Sequence, residues 1–421
     1  MFFRNLSTGS TLAKLKRAVT LSPPARNEII SLMREVASDI VDEAERFSLG
    51  GDLWENFLAL RLALDDNTLG RAAELNSIPA GSVVRVALSE LWTLHKIVAA
   101  ARTIVDNAAE LDGLKCLKDY RLSGGKNASA RNPVLESIAD LAVAFKNAPS
   151  PEEMMSALIG FYTSRGSGIF SLYRAFLWSP EAGLMPVESP DPQTFSSLLG
   201  CSEQKAELLA NTELFMSGQA ANNVLLYGDS GTGKSSSVKA LLNEPDFIAA
   251  GLRMIEVNKE QIAEIPGIMR LVGARNYRFI LFLDDLSFED YEVEYKHLKA
   301  LIEGGIERKP DNVVIYATSN RRNIVREVWK DRRSSSDDVH GWDTMQEKLS
   351  LSDRFGITIW YGSVDKEKYM EIVRFYVDEF GISIANDELE RLAMRWEIGR
   401  GGFSGRTARQ FAQHLLIGRR Q

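Results

Sequence analysis

The stretch VLLYGDSGTGKSSSVKALL, residues 224–242, decides the fold that this chain is expected to adopt. An apolar run ends at Gly228, and Val238, Leu241 and Leu242 follow at helical spacing. The segment between them, from Gly228 to Ser235, matches the pattern G-x-x-x-x-G-K-[ST]. The pattern predicts a strand that passes through a glycine-rich loop directly into a helix.

The residue types in this loop indicate a phosphate site. Glycines permit backbone conformations in which consecutive N–H groups turn inward around an anion, and the start of the helix adds the positive end of its dipole. Lys234 can reach the outer phosphates of a nucleotide, and the Ser235 hydroxyl can ligate Mg²⁺. The candidate binding residues are Gly228, Asp229, Ser230, Gly231, Thr232, Gly233, Lys234, Ser235 and Ser236. The alternatives are a glycine-rich turn that only connects strand and helix, and a capping role for Ser236.

A second element of a triphosphate site follows in RFILFLDDLSFED, residues 278–290. Asp284 and Asp285 stand at the end of an apolar run that is typical of a buried strand. We expect Asp284 to hold the metal through water and Asp285 to orient or deprotonate an attacking water. The alternative is a pair of solvated loop acids.

Length, net charge, cysteine content and the length of apolar runs limit the class of protein to which this chain can belong. The length of 421 residues favours two or three domains. Lys plus Arg number 50 and Asp plus Glu 57, and the net charge of −7 gives no support to a large nucleic-acid-binding face. The two cysteines, Cys116 and Cys201, are far apart and lack zinc spacing, which favours a reducing, cytoplasmic compartment. No apolar run approaches the roughly 18–20 residues of a membrane helix.

The pattern of apolar residues divides the chain. Residues 28 to about 178 show mostly helical spacing, and the proline-rich segment 179–193 is expected to be a connector. From about 220 onward apolar runs alternate with amphipathic segments, which predicts an α/β fold with a parallel sheet covered on both faces. The candidate strands are 223–227, 252–257, 278–283, 312–318 and 357–362. The predicted domains are 1–190, 191–363 and a helical 364–421.

The first 27 residues contain no acid and several basic residues. This composition favours a basic amphipathic helix that ends near Pro23 and Pro24, and an organelle targeting segment is the alternative.

The order of the motifs resembles a known family. The phosphate loop is followed by FLDDLSFED (282–290), YATSNRRN (316–323), LSLSDRFG (349–356) and GRGGFSGRTARQF (399–411), which is the order of the AAA+ ATPases. The chain is similar to the uncharacterised bacterial AAA+ ATP-binding proteins with an N-terminal helical extension. The likeness extends over about residues 195–421 and is weaker before them. It implies an AAA+ parallel-sheet core with a helical C-terminal lid, after a mostly helical N-terminal domain.

This resemblance implies three further site residues. Asn320 occupies the place of the polar residue that senses the terminal phosphate, and its alternative is a turn-forming asparagine. Arg354 resembles the arginine finger that is donated to a neighbouring subunit's nucleotide, which implies a homo-oligomer; the alternative is a surface salt bridge to an acid such as Asp353. Arg406 stands where a lid arginine contacts the γ-phosphate, with Arg409 as the competing candidate and a helix-surface arginine as the alternative.

Two departures from the family limit what the resemblance implies. Asp285 stands where many AAA+ hydrolases have glutamate, so that hydrolysis is expected to be slow or assisted by Glu289. The segment 257–273 lacks the aromatic loop of peptide-threading machines, which argues against an unfoldase. The polar loop 330–343 is expected to be a solvated insertion, with a partner contact as the alternative.

The sequence therefore predicts a Mg²⁺-dependent ATPase that couples nucleotide state to remodelling or assembly of an unknown partner, which binds the N-terminal domain. One alternative is a slow or non-hydrolysing ATP-dependent switch or scaffold. Another is a DNA-associated ATPase similar to helicase loaders, which the acidic net charge does not support.

Overall fold

The structure is a computed structural model that describes residues 3, 10–77, 81–123, 133–288, 293–303, 308–321, 351–398 and 402–418. The chain divides into two compact units, Met1–Tyr173 and Arg174–Gln421. Within the described ranges, every helix is too short or too polar to cross a membrane.

The first unit is helical in the residues that the structure describes. Its helices are α1 (Ser10–Thr20), α2 (Arg26–Phe47), α3 (Leu53–Ala63), α4 (Thr68–Glu74), α5 (Ser82–Asn107), α6 (Pro133–Asn147), α7 (Pro151–Arg165) and α8 (Ile169–Leu172). Helix α2 buries one stripe, including Met33, Val36 and Ile40, because apolar residues three and four positions apart share a face. Helix α3 is buried on nearly all sides and lies in the core of this unit. The predicted helical N-terminal region is confirmed.

The second unit contains a seven-stranded sheet. Its strands are β1 (Ala175–Ser179), β2 (Gly183–Pro186), β3 (Val224–Gly228), β4 (Leu252–Glu256), β5 (Arg278–Leu283), β6 (Val313–Ser319) and β7 (Ile357–Tyr361). The order across the sheet is β2-β1-β4-β5-β6-β3-β7. All neighbours pair in parallel except β1 and β2, and the central strands are buried on both faces, which explains their continuous apolar runs.

Helices cover this sheet and follow it. They are α9 (Ser202–Met216), α10 (Lys234–Ala240), α11 (Pro245–Ala249), α12 (Ile265–Gly273), α13 (Glu294–Glu303), α14 (Lys366–Glu379), α15 (Asn386–Ile398) and α16 (Gly405–Gly418). The last three form a lid with its own apolar core, in which Tyr369 and Val373 of α14 pack with Phe411 of α16. The parallel sheet, the loop after β3 and the C-terminal helices confirm the predicted α/β fold class.

The strands β1 and β2 differ from the sequence-based expectation, which placed residues 179–193 in a connector and the end of the first domain at 190. The division of the chain falls between Tyr173 and Arg174, before this hairpin. β1 pairs in parallel with β4, so that Ala175 lies opposite Met254. The partner strand β4 is remote in sequence from β1. The short apolar run of β1, followed by four prolines, does not by itself predict a strand of this sheet.

Candidate functional site

The glycine-rich loop connects β3 to α10 as predicted, and its glycines are required by geometry. Gly228, Gly231 and Gly233 all have positive φ, at 134°, 78° and 99°. A Cβ atom on Gly228 would lie 1.9 Å from the Tyr361 carbonyl oxygen on the neighbouring strand β7. Any side chain at position 228 would clash with β7, so glycine is required there. The positive φ values of Gly231 and Gly233 let the loop curve between β3 and α10.

Lys234, the first residue of α10, is buried at the centre of the loop. Its Nζ donates to the carbonyl oxygens of Gly228 at 2.8 Å and Asp229 at 2.6 Å, and to Asn320 Oδ1 at 3.1 Å. Burial lowers the pKa of the Lys234 ammonium, and Asp285 is the strongest of the acids that oppose this shift. A partly desolvated cation beside inward-turned backbone is well suited to hold an anion.

A hydroxyl and a carboxylate meet beside this lysine. Ser235 Oγ donates to Asp284 Oδ1 at 2.6 Å, and Thr318 Oγ1 donates to the same oxygen at 2.6 Å. The Lys239 ammonium lies 3.9 Å from the other oxygen of Asp284. Mg²⁺ in proteins is commonly held by one or two carboxylates together with substrate phosphates and water, so Ser235 and Asp284 fit a magnesium site.

Thr318 was missed by the sequence analysis. It lies one residue before the end of β6 and is buried, and its Oγ1 also accepts a hydrogen bond from the Asp285 N–H at 2.8 Å. One hydroxyl therefore contacts the carboxylate of Asp284 and the main chain of Asp285. The available signal was a polar residue near the end of a buried apolar strand, two positions before Asn320.

Asp285 has a φ of 52°, in the left-handed region where aspartate and asparagine are tolerated better than longer side chains. Its carboxylate accepts a hydrogen bond from Asn320 Nδ2 at 2.6 Å. The backbone conformation offers a physical reason for the shorter acid at this position, where the family resemblance implies glutamate.

The lid closes one side of a cleft of about 590 Å³. Arg406 Nη1 lies 3.4 Å from Ser230 Oγ, and the Arg406 N–H donates to the Gly231 carbonyl oxygen at 3.3 Å. Arg409 lines the same cleft. The structure therefore brings both candidate lid arginines to the site, with Arg406 in contact with the loop.

The described lining of the cleft contains most of the predicted site residues. These are Ser230, Gly231, Thr232, Gly233, Lys234, Ser235, Ser236, Asp284, Asp285, Asn320 and Arg406. Gly228 and Asp229, at the start of the loop, are not in the described lining, and the Asp229 carboxylate accepts a hydrogen bond from the Ser363 N–H at 3.1 Å. An apolar part of the lining was not predicted and consists of Leu198, Leu199, Val364, Ile372 and Tyr376.

Arg354 is not among the described residues that line this cleft. It ends a short 3-10 helix, Ser352–Arg354, and its Nη1 forms an ion pair with Glu303 Oε1. Glu289 and the loop 330–343 lie outside the described residues.

Comparisons with known proteins address the same part of the chain. A family model described as "Protein of unknown function (DUF815)" matches residues 171–419. The RuvB Holliday junction branch migration motor of Thermotoga maritima is similar in structure, with 16% identity, a TM-score of 0.36, and coverage of 53% of this chain and 63% of that chain. A variant of that motor matches with 17% identity and a TM-score of 0.37 over 53% of this chain and 63% of that chain.

The chain thus spans less than two thirds of the length of these solved structures. No curated protein matches the chain. Because the family model covers more than half of the 421 residues, and covers the whole of the sheet, the loop and the described lid, the chain belongs to the DUF815 family of proteins of unknown function.

Proposed function

We propose that this protein binds ATP with Mg²⁺ in the cleft between the glycine-rich loop and the lid, and that it hydrolyses ATP slowly. The observation that carries the proposal is the convergence of Lys234, Ser235, Asp284, Asp285 and Asn320. These residues follow the ends of three neighbouring strands, and Thr318 joins their hydrogen bonds into one connected set.

The two parts of the cleft suit the two parts of a nucleotide. The backbone amides after Gly228 and the Lys234 ammonium would hold the phosphates, and Arg406 would close on them from the lid. The apolar part, which includes Leu198, Ile372 and Tyr376, would cover the base. Lid position would then depend on whether the terminal phosphate is present.

Ser235 and Asp284 would hold the magnesium ion, directly or through water. When bound, magnesium would neutralise charge on the phosphate oxygens during transfer. Thr318 keeps Asp284 oriented through its hydroxyl.

Asp285 is the candidate general base for the attacking water, and Asn320 is placed to hold that water or a phosphate oxygen. Arg354 would contact the nucleotide of a neighbouring subunit, as the arginine finger that it resembles does. This assignment makes the active form a homo-oligomer. The helical first unit would carry the contact to an unknown protein partner.

A second candidate is an ATP-loaded switch or scaffold that turns over little. The specific observation in its favour is the side chain of Asp285, which is shorter than glutamate and is held by Asn320. Binding of ATP without phosphate release would support this candidate.

The decisive experiment compares the wild type with Lys234→Ala by calorimetry with MgATP and by phosphate release. Loss of the ammonium is expected to weaken ATP binding by about 100-fold or more and to abolish turnover. Lys296→Ala removes an exposed lysine of α13 outside the cleft and is the matched control. If the folded wild type takes up no ATP, both candidate functions fail.

A further inference from the structure

Arg354 and Glu303 form an ion pair within the second unit. Glu303 is the last described residue of α13, and Arg354 ends the 3-10 helix that precedes β7. The side chains are 31% exposed for Arg354 and 36% exposed for Glu303. The pair lies at the surface, where solvent and a second molecule can reach it.

Glu303 attracts the cation beside it. The Arg354 guanidinium and the Glu303 carboxylate carry opposite charges and are in contact. In a single subunit this pairing stabilises one location of the guanidinium.

The ion pair between Arg354 and Glu303 is weak enough for Arg354 to change partners. Ion pairs at this degree of exposure are screened by water and contribute little to stability. A nucleoside triphosphate carries several negative charges and offers a guanidinium two oxygens at once, which makes it a stronger partner than one carboxylate.

We propose that Glu303 is the resting partner of Arg354: it holds the guanidinium in a separate subunit and releases it when the triphosphate of a neighbouring copy of this chain takes its place. This inference rests on the proposed ATPase function and on the action of Arg354 between subunits. It makes Glu303 a positioning residue that sets how readily assembly activates turnover.

The variant Glu303→Gln tests this exchange, because it removes the negative charge and keeps the side chain's size. Phosphate release per subunit is measured over a range of protein concentrations. The half-activating concentration is expected to fall about two- to fivefold, the range that a partly exposed ion pair can supply. Glu294→Gln, at the other end of α13, makes the same charge change away from Arg354 and should leave that concentration unchanged.

Subunit mixing assigns the effect to the donor of the arginine. Lys234→Ala subunits can donate Arg354 and cannot use ATP, whereas Arg354→Ala subunits can use ATP and cannot donate. The mixture should therefore turn over ATP although each variant alone is inactive. The double variant Lys234→Ala/Glu303→Gln, mixed with Arg354→Ala, should show a lower half-activating concentration. Glu303→Gln combined with Arg354→Ala in one subunit should leave that concentration unchanged.

Three outcomes would overturn the proposal and leave the ATPase function intact. These are an equal change of the half-activating concentration from Glu303→Gln in either subunit, no change in either, and an increase when it is placed in the Lys234→Ala subunit. Inactivity of the mixture beside an active wild type would show that Arg354 does not act between subunits, and the proposal would fall with it. A wild type without turnover would remove the proposed hydrolysis and this inference together. Equal melting temperatures of Glu303→Gln and the wild type would exclude a folding defect as the cause.

Discussion

Asn320 and Asp285 are joined by a hydrogen bond of 2.6 Å from the amide Nδ2 to the carboxylate Oδ1. The other end of the same amide accepts a hydrogen bond from Lys234 Nζ at 3.1 Å. One neutral side chain thus links the candidate phosphate-binding cation to the candidate general base. A phosphate oxygen that bound Lys234 would compete with this amide, and the position of Asp285 would change as a consequence.

Replacement of Asn320 by alanine should therefore affect turnover more than binding. The Lys234 ammonium and the loop amides remain, so the dissociation constant for MgATP should change by no more than about threefold, as for one neutral hydrogen bond. The turnover number should fall about 10- to 100-fold, because water and Asp285 lose their common partner. Calorimetry and phosphate release measure the two quantities, and a large loss of affinity with normal turnover would contradict the role.

Asp285 can be tested by two substitutions that separate its chemistry from its backbone. Asp285→Asn keeps the shape and tolerates the φ of 52°, so the protein should fold normally and lose about 100-fold or more in turnover. Asp285→Glu keeps the carboxylate and should cost about 1 kcal/mol in the free energy of unfolding, because a longer side chain fits the left-handed region less well. Turnover by Asp285→Asn equal to that of the wild type would remove Asp285 from the mechanism.

Thr318→Val is the sharpest test of the residue that the sequence analysis missed. The change keeps the shape, removes the donor to Asp284 and leaves the Asp285 N–H without its hydroxyl acceptor. We expect a loss of about 1–3 kcal/mol in the free energy of unfolding and a higher magnesium requirement for turnover. Thr318→Ser retains the hydroxyl and should restore both, measured by urea denaturation and by a magnesium titration. If valine and serine behaved alike, the hydroxyl would have no role.

The glycines of the loop should differ in their tolerance of alanine. Gly228→Ala places a Cβ 1.9 Å from the Tyr361 carbonyl oxygen, and two paired strands cannot separate without breaking the sheet. We expect it to destabilise the second unit by more than about 3 kcal/mol. Gly233→Ala meets its nearest atom at 3.9 Å and should cost only the left-handed backbone penalty, about 1–2 kcal/mol. Chemical denaturation followed by circular dichroism would compare them, and equal costs would contradict this account.

A buried acid makes the stability of the helical unit depend on pH. Burial raises the pKa of Glu55 from 4.5 to about 7. The nearby cations Arg102 and Lys146 lower this pKa, and the carboxylate of Asp52 raises it further. His95 Nδ1 lies 3.9 Å from the Glu55 carboxylate. A raised folded-state pKa means that the stabilisation is complete below pH 4.5 and is lost as the pH rises through about 7.

The unfolding free energy of this unit should therefore fall by about 3 kcal/mol between pH 4.5 and 8 through Glu55 alone. The pKa of His95 is lowered by burial and by Arg102, so its contribution has the opposite sign and is lost as the pH falls. Glu55→Gln should remove the alkaline loss, and hydrogen exchange of the amides of α3 would measure it locally. An unchanged pH profile in this variant would contradict the assignment.

Local sequence was sufficient for much of the second unit. The central strands β5 and β6 are nearly continuous apolar runs because both of their faces are buried. Lys234 and Ser235 were predicted from their spacing to Gly228, since a strand, a turn and a helix follow one another in the chain. Asp284 and Asp285 were predicted because they directly follow a buried strand.

Other features depend on segments that are distant in sequence. The order of the strands brings Thr318 of β6 against the aspartates that follow β5, and nothing in either segment alone specifies this contact. The hairpin of β1 and β2 was identified only from the structure, in which β1 pairs with β4. The pairing of Arg354 with Glu303 belongs to the same class.

Local sequence alone specifies a glycine-rich loop that joins a buried strand to a helix with a lysine and a hydroxyl at its start, because backbone conformation and side-chain spacing are local properties. The folded arrangement of strands sets that the Asn320 amide contacts this lysine, that the Thr318 hydroxyl contacts Asp284, where the sheet begins, and where Arg354 lies. Those outcomes depend on the order and register of strands that pair across long stretches of chain, and side-chain contacts in a folded protein are made between neighbours in space.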